Sequence, residues 1–189
     1  VLWDGKVHSE STGELQFTEY GISGPVIFEV SRDVCHGQGE WKCRLDFLPG
    51  MDGKMLKQEL LRRKQTGWNA EDLLTGILHN RLGRVLTQAA GIKGLWKIAD
   101  LNENEIDAVC DAVKGFEISL TEPMGMDAAQ VTAGGIVTSE FDPRTMESRL
   151  VPGLYACGEV LDIDGDCGGY NLQWAWSSGR LAGLLMSNN

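Results

Sequence analysis

Apolar and polar positions alternate twice near the start of the chain. Leu15 and Phe17 interleave with Glu14, Gln16 and Thr18, and Trp41, Cys43, Leu45 and Phe47 interleave with Lys42, Arg44 and Asp46. A period of two puts one set of side chains on a single face, so both stretches are expected to form half-buried strands. Between them Gly21-Ile22-Ser23-Gly24-Pro25 is a turn leading into a helix, with Ser23 able to cap and Pro25 tolerated in the first turn; Val26 to Val30 reads equally well as strand.

The period then lengthens. Lys54 to Lys64 has helix-forming composition with Leu56, Leu60 and Leu61 on one side, and Gly67 is expected to end that helix. Ala70 to Ala90 is expected to be helical with interruptions at Gly76 and Gly83. Asn102 with Glu105 matches a capping box, and Ile106, Val109, Cys110 and Val113 repeat at helical spacing before a stop at Gly115. Phe116, Ile118 and Leu120 return to alternation. Strands interrupted by a helical excursion predict a small sheet or barrel carrying a helical insertion. Past Asp127 charges thin out and glycines gather, and Gln130–Ile136, Gly153–Cys157 and Tyr170–Met186 are the expected elements. A piece of about sixty residues is near the lower limit for an independent core and is expected to lean on another part.

Composition narrows the class. With 189 residues, 42% hydrophobic and 23% charged, the chain fits one folded domain or two small ones and excludes disordered, collagen-like and coiled-coil readings. A net charge of -10 repels phosphate backbones, so no nucleic-acid partner is expected. The tight basic run Arg62-Arg63-Lys64 is expected to be a solvated helix face rather than an anion contact. No stretch reaches the ~20 apolar residues of a membrane span and the start lacks the order of a signal peptide, so no membrane partner is expected. Five cysteines without a CxxC pair fit reduced thiols in a cytoplasmic protein, with Cys157 expected in the core. The chain opens at Val1, as expected of a processed or excised piece.

Candidate chemistry gathers near the end. Leu154-Tyr155-Ala156-Cys157-Gly158-Glu159 is expected to be a short buried strand presenting Glu159 at its C-terminal edge, where α/β sheets hold ligands. Glu159, Asp162, Asp164 and Asp166 then crowd together. They could do acid-base work, bind a metal or accept hydrogen bonds from hydroxyls. Their opening spacing matches a calcium loop, but Cys167 stands where that loop needs glycine and Gln173 where it needs glutamate, so no metal is expected. Gly168-Gly169-Tyr170-Asn171 precedes a helix. The pair either admits an anion or electron-rich ring to a helix start or is a glycine turn with Asn171 as N-cap. The stripe Ala175, Gly179 and Gly183 is expected to lie against a sheet, with Leu172, Trp176 and Met186 filling its flanks. His8, His36 and His79 are isolated in sequence from acid or nucleophile partners, so surface or capping roles are expected and no catalytic acid or base is assigned.

Three runs together carry a resemblance. Val131-Thr132-Ala133-Gly134-Gly135-Ile136, Gly153 to Asp162, and Gly168 to Ala175 resemble the C-terminal end of the BaiN-like, aminoacetone-oxidase-like NAD(P)/FAD-dependent oxidoreductases, a bacterial flavoprotein family. Thr145-Met146-Glu147-Ser148 lies within the same match, and Thr18-Glu19-Tyr20-Gly21-Ile22-Ser23-Gly24-Pro25 resembles that family's inserted domain. The resemblance implies an α+β fold. Residues 1–128 would be a small β-barrel-like insert domain on the substrate side, with a helical subdomain at about 50–114. Residues 129–189 would be the C-terminal piece of a split Rossmann-type FAD-binding domain.

By resemblance, Glu159 with Gly158 and Asp162 would lie by the FAD ribityl or pyrophosphate region. Gly168, Gly169, Tyr170, Asn171 and Leu172 would set a helix start at the flavin pyrimidine edge, and Gly134 and Gly135 would border the isoalloxazine. Hydride would pass between NAD(P)H or a small-molecule substrate, FAD and a second acceptor.

One departure is plain: no GxGxxG with a following acid occurs in the chain, so it is expected to bind FAD weakly or not at all without such a half. The alternatives are a self-standing binding module with structural glycines, and a disulfide reductase relative, disfavoured by the missing CxxC. Pairing of two copies through exposed strand edges is a further expectation.

Overall fold

The computed structural model describes residues 1–36 and 39–186. In chain order it contains β1 (Leu2–Trp3), β2 (Lys6–Val7), β3 (Gln16–Phe17), β4 (Ile22–Ser23), α1 (Pro25–His36), β5 (Trp41–Leu45), α2 (Gly53–Arg63), α3 (Asn80–Ala89), α4 (Glu103–Lys114), β6 (Phe116–Leu120) and α5 (Tyr170–Met186). Two units form, each from two separated stretches: Val1–Val7 with Glu40–Leu120, and His8–Gly39 with Thr121–Asn189.

The first unit joins a sheet to a helical cluster. Its antiparallel sheet runs β2-β1-β5-β6, and β5 pairs with β6 from Trp41↔Leu120 to Leu45↔Phe116. Trp41, Cys43 and Leu45 are buried, as alternation predicts, while Arg44 faces Glu117 across the strands at 3.8 Å. Trp3 stacks on Trp41 with ring centroids 6.0 Å apart. Phe47, beyond the end of β5, packs against the helical cluster instead.

That cluster buries Leu56 and Leu60 of α2, Leu86 of α3, and Ile106, Val109 and Val113 of α4 together with Leu73, Leu74 and Ile98 from the connections. The capping box forms in full, with Asn102 Oδ1 accepting from Glu105 N–H and Glu105 Oε2 accepting from Asn102 N–H. Ala70–Asp72 forms only a single 3-10 turn, and the break falls at Gly76 with φ +77. Gly83 does not interrupt α3. A Cβ there would lie 2.9 Å from Leu74 Cβ, so the absent side chain lets α3 pack closely. The basic run is only in part a solvated face, with Arg62 exposed and paired to Glu59. Arg63 donates to the carbonyls of Leu73 and Thr75 and Lys64 to that of Leu101, so two of its cations tie loops to α2. His79 takes the N-cap position of α3 without a side-chain cap bond.

The second unit contains less regular structure. β3 and β4 pair over two residues each, and Phe17 is 53% exposed rather than half-buried because this short hairpin presents it to solvent. Val26 to Val30 is helix, and the N-cap role falls to Gly24, whose carbonyl accepts from Ile27 and Phe28 N–H, rather than to Ser23 in β4. Gln130–Ile136 and Gly153–Cys157 do not form strands. Ile136 and Tyr155 make isolated bridges, to Leu161 and Glu147 respectively, and Leu154 is 49% exposed. An apolar run becomes a buried strand only when neighbours supply a ladder on both edges.

Phe141, Met146, Leu161 and Ala182 form the small core of this unit, with Tyr155 and Trp174 against it. His8 Nε2 lies 3.6 Å from Asp33, a pairing sequence distance concealed, while the side chain of His36 lies outside the described residues. Cys157 is exposed rather than a core thiol. The buried thiols are Cys43 and Cys110, and burial pushes Cys110 up to about 11. No helix among the described residues is long and apolar enough to cross a membrane.

Candidate functional site

Gly135 is where two backbone segments meet. Its φ is +154, and a Cβ there would stand 2.8 Å from Val160 O, Leu161 C and Asp162 N. Bare backbone at this crossing lets Ile136 N–H donate to Val160 O at 2.8 Å and Asp162 N–H to Ile136 O at 2.9 Å. Gly134, with φ +101, has open space where its Cβ would point.

The 3-10 turn Gly158–Val160 comes next. Gly158 is buried with φ +70, and α5 holds both of its polar groups. Its N–H donates to Ser178 Oγ at 2.9 Å, and its carbonyl accepts from Trp174 Nε1 at 3.1 Å. Ser178 Oγ in turn donates to Trp174 O at 2.7 Å. Ser178→Ala would leave the Gly158 N–H buried without a partner, an expected loss of roughly 1–3 kcal/mol. Urea unfolding of the variant checks this, and unchanged stability would show that the bond contributes nothing. Glu159, beside Gly158, is exposed, as is Asp162.

The chain enters α5 through Gly168 (φ +126) and Gly169 (φ +92). A Cβ on Gly169 would meet nothing within 4 Å. Asn171 is not the N-cap: it lies inside α5, accepts from Gly165 N–H at 2.7 Å and donates to Gly165 O at 3.0 Å. Asp164 pairs with Arg32 at 2.9 Å, so the acidic loop is tied to other parts of the chain rather than gathered into a cage. Among the described residues no group of three or more His, Cys, Asp or Glu could hold a metal.

The small-residue stripe of α5 faces the Gly158 turn rather than a sheet. Ala175 Cβ is 3.6 Å from the position of a Gly158 Cβ, and Cys157 Sγ is 3.9 Å from that of a Gly179 Cβ. Leu172 and Trp176 do not fill its flanks; they are 60% and 68% exposed, and the side chain of Met186 lies outside the described residues.

Gly134 and Gly169 thus offer bare backbone with clear space, and the first turn of α5 has N–H groups without intrahelical partners. Bare backbone of this kind would suit the edge of a planar ring, and the chain contains no GxGxxG to grip a pyrophosphate. Trp174, Ser178 and Arg32 were not anticipated. Trp174 and Ser178 stand four apart in α5, and polar atoms recurring at that spacing beside an alanine-glycine stripe are the signal that would have marked them. In the first unit a separate cleft of about 720 Å3 is lined by Arg84, Gln88, Lys93 and Trp96 among others.

Two family models match this chain: the HI0933-like protein barrel and H2TH domain over residues 1–131, and the HI0933-like protein Rossmann domain over residues 111–185. The chain is 40% identical over 188 residues to the 3-dehydro-bile acid delta(4,6)-reductase of Clostridium scindens, covering 97% of this chain and 46% of that protein. It is 33% identical over 177 residues to the ribosomal RNA dihydrouridine synthase of Haemophilus influenzae, covering 92% and 42% of the two chains. With the ribosomal RNA dihydrouridine synthase of Escherichia coli the identity is 35% over 164 residues, covering 87% and 40%. The chain therefore spans less than half the length of each of these relatives.

Proposed function

The chain belongs to the HI0933-like family, and from that premise we propose that it is part of an FAD-dependent oxidoreductase acting on a small molecule with NAD(P)H as electron donor. Residues 1–128 serve as the substrate-side insert and 129–189 as the returning piece of the FAD domain. The observation that carries this reading is the entry to α5, where a Cβ on Gly169 would meet nothing within 4 Å, while the Tyr170 ring lies beside Gly168. When bound, FAD accepts and returns a hydride. The N-terminal dipole of α5 would favour the negative charge of a reduced ring, Gly134 and Gly135 would border that ring, and Glu159 with Asp162 would hold the ribityl or pyrophosphate portion. Identity to a bile acid reductase supports a small-molecule substrate.

The test uses two proteins. The 189-residue chain mixed with excess FAD and desalted is expected to show little yellow colour, whereas a full-length parent carrying an upstream GxGxxG is expected to retain flavin. In that parent, Glu159→Ala should lower FAD retention. Stoichiometric flavin on the short chain would overturn the missing-half argument, and a colourless parent would favour the self-standing binding module.

One observation favours a second reading, an RNA substrate. Trp96 is 39% exposed at the lip of the helical-unit cleft, with the Lys93 ammonium 5.9 Å from its ring centroid. Exposed aromatic rings with adjacent cations suit unpaired bases, and two of the relatives are ribosomal RNA dihydrouridine synthases. Salt-sensitive retention of a labelled single-stranded RNA by the chain would favour this over the small-molecule reading.

A further inference from the structure

Arg32 and Asp164 come from parts of the sequence far apart, yet they form an ion pair of 2.9 Å between Arg32 Nη1 and Asp164 Oδ2. The Asp164 side chain is 17% exposed and that of Arg32 58%, so the carboxylate is shielded and the guanidinium reaches it from solvent. Arg32 stands on α1, two residues past the buried Val30, so the helix that seats its apolar side in the unit also delivers this cation.

The next residue, Gly165, is bound at both its N–H and its carbonyl by Asn171. Asp162 N–H is bound to Ile136 O. The loop before α5 is therefore held at three points by three different parts of the chain. The segment that follows, Asp166 to Gly169, is exposed and turns through two positive-φ glycines. Its course into α5 depends on where Asp164 and Gly165 are fixed.

We propose that Arg32 is a positioning residue of the flavin site: by pinning Asp164 it fixes the entry of Gly168 and Gly169 into α5 and balances a carboxylate charge there. The proposal rests on the flavin reading above for its second half and on the loop geometry alone for its first. Left unpaired, the Asp164 carboxylate would add to the charge of Glu159, Asp162 and Asp166 in this stretch and oppose that of a reduced ring, and Arg32 offsets its share.

Hydrogen exchange on the 189-residue chain tests the pinning without any cofactor. Arg32→Ala is expected to speed exchange of the Gly165 amide, which donates to Asn171 Oδ1, by about five- to tenfold, and Arg32→Lys to restore part of the protection. Unchanged exchange in Arg32→Ala would overturn the positioning role. In the full-length holoprotein, the flavin midpoint potential tests charge balance. Arg32→Ala is expected to lower it, Asp164→Asn to raise it, and the double variant to return it close to that of the unsubstituted protein. Shifts in the same direction for the two single variants, or none in either with flavin still bound, would overturn charge balance. A parent that holds no flavin overturns the flavin reading and the charge-balancing half with it, while the exchange result decides the pinning independently.

Discussion

Gly135→Ala is expected to unravel the crossing between residues 134–136 and 160–162 and to destabilise the second unit more than any surface change. Alanine at φ +154 is strained by about 1–3 kcal/mol. Its Cβ would also meet three backbone atoms at 2.8 Å, and overpacking that cannot relax through a side chain adds about 1–3 kcal/mol. The bonds from Ile136 N–H to Val160 O and from Asp162 N–H to Ile136 O are the first to lengthen, since they hold these segments together. Gly134→Ala is the control: it incurs the φ strain at +101 but meets open space. Urea unfolding followed by circular dichroism should rank wild type above Gly134→Ala and Gly134→Ala above Gly135→Ala. Equal midpoints for the two variants would remove the steric argument.

Leu60→Ala carries the other large effect. Leu60 is 0% exposed in the helical core, between residues of α2, α4 and the connecting turns. Truncating a fully buried leucine removes its transfer free energy and leaves a cavity, a loss of about 2–5 kcal/mol. The neighbouring Leu61 is only partly buried, so Leu61→Ala should cost clearly less. A lowered urea midpoint with an unchanged denaturant slope is the expected signature for Leu60→Ala. A shift no larger than that of Leu61→Ala would mean the core closes over the gap.

What could be read from the residues divides along the line between local and distant causes. The α4 helix, with its capping box and its i, i+3, i+4, i+7 apolar positions, was legible because every signal lies within one stretch. The β5–β6 alternation was legible for the same reason. Gly83 misled because glycine weakens a helix on its own but permits close packing against Leu74, a contact the sequence does not display. Leu154 to Cys157 misled in the opposite sense: an apolar run announces a buried strand, yet burial depends on partners supplied from elsewhere.

The same division runs through the candidate site. Gly134, Gly135, Gly158, Gly168 and Gly169 stood out by residue type, and all five have positive φ. Their tethers did not stand out. Arg32 to Asp164, Asn171 to Gly165, and Trp174 with Ser178 to Gly158 are polar links whose partners are set by the fold. The basic run Arg62-Arg63-Lys64 shows the converse: a charge pattern suggested solvent, and the fold uses two of those cations to satisfy loop carbonyls.

The way the two units are threaded also bears on how the chain is made. Residues 8–39 are made before residues 40–120 but belong with 121–189, whereas the sheet and helices of the first unit are complete once residue 120 has emerged. During synthesis this segment, with the buried Val26 and Val30 of α1, must wait for its partners while residues 40–120 are made. The order of translation thus leaves α1 without its partners until the residues from Thr121 onward have followed.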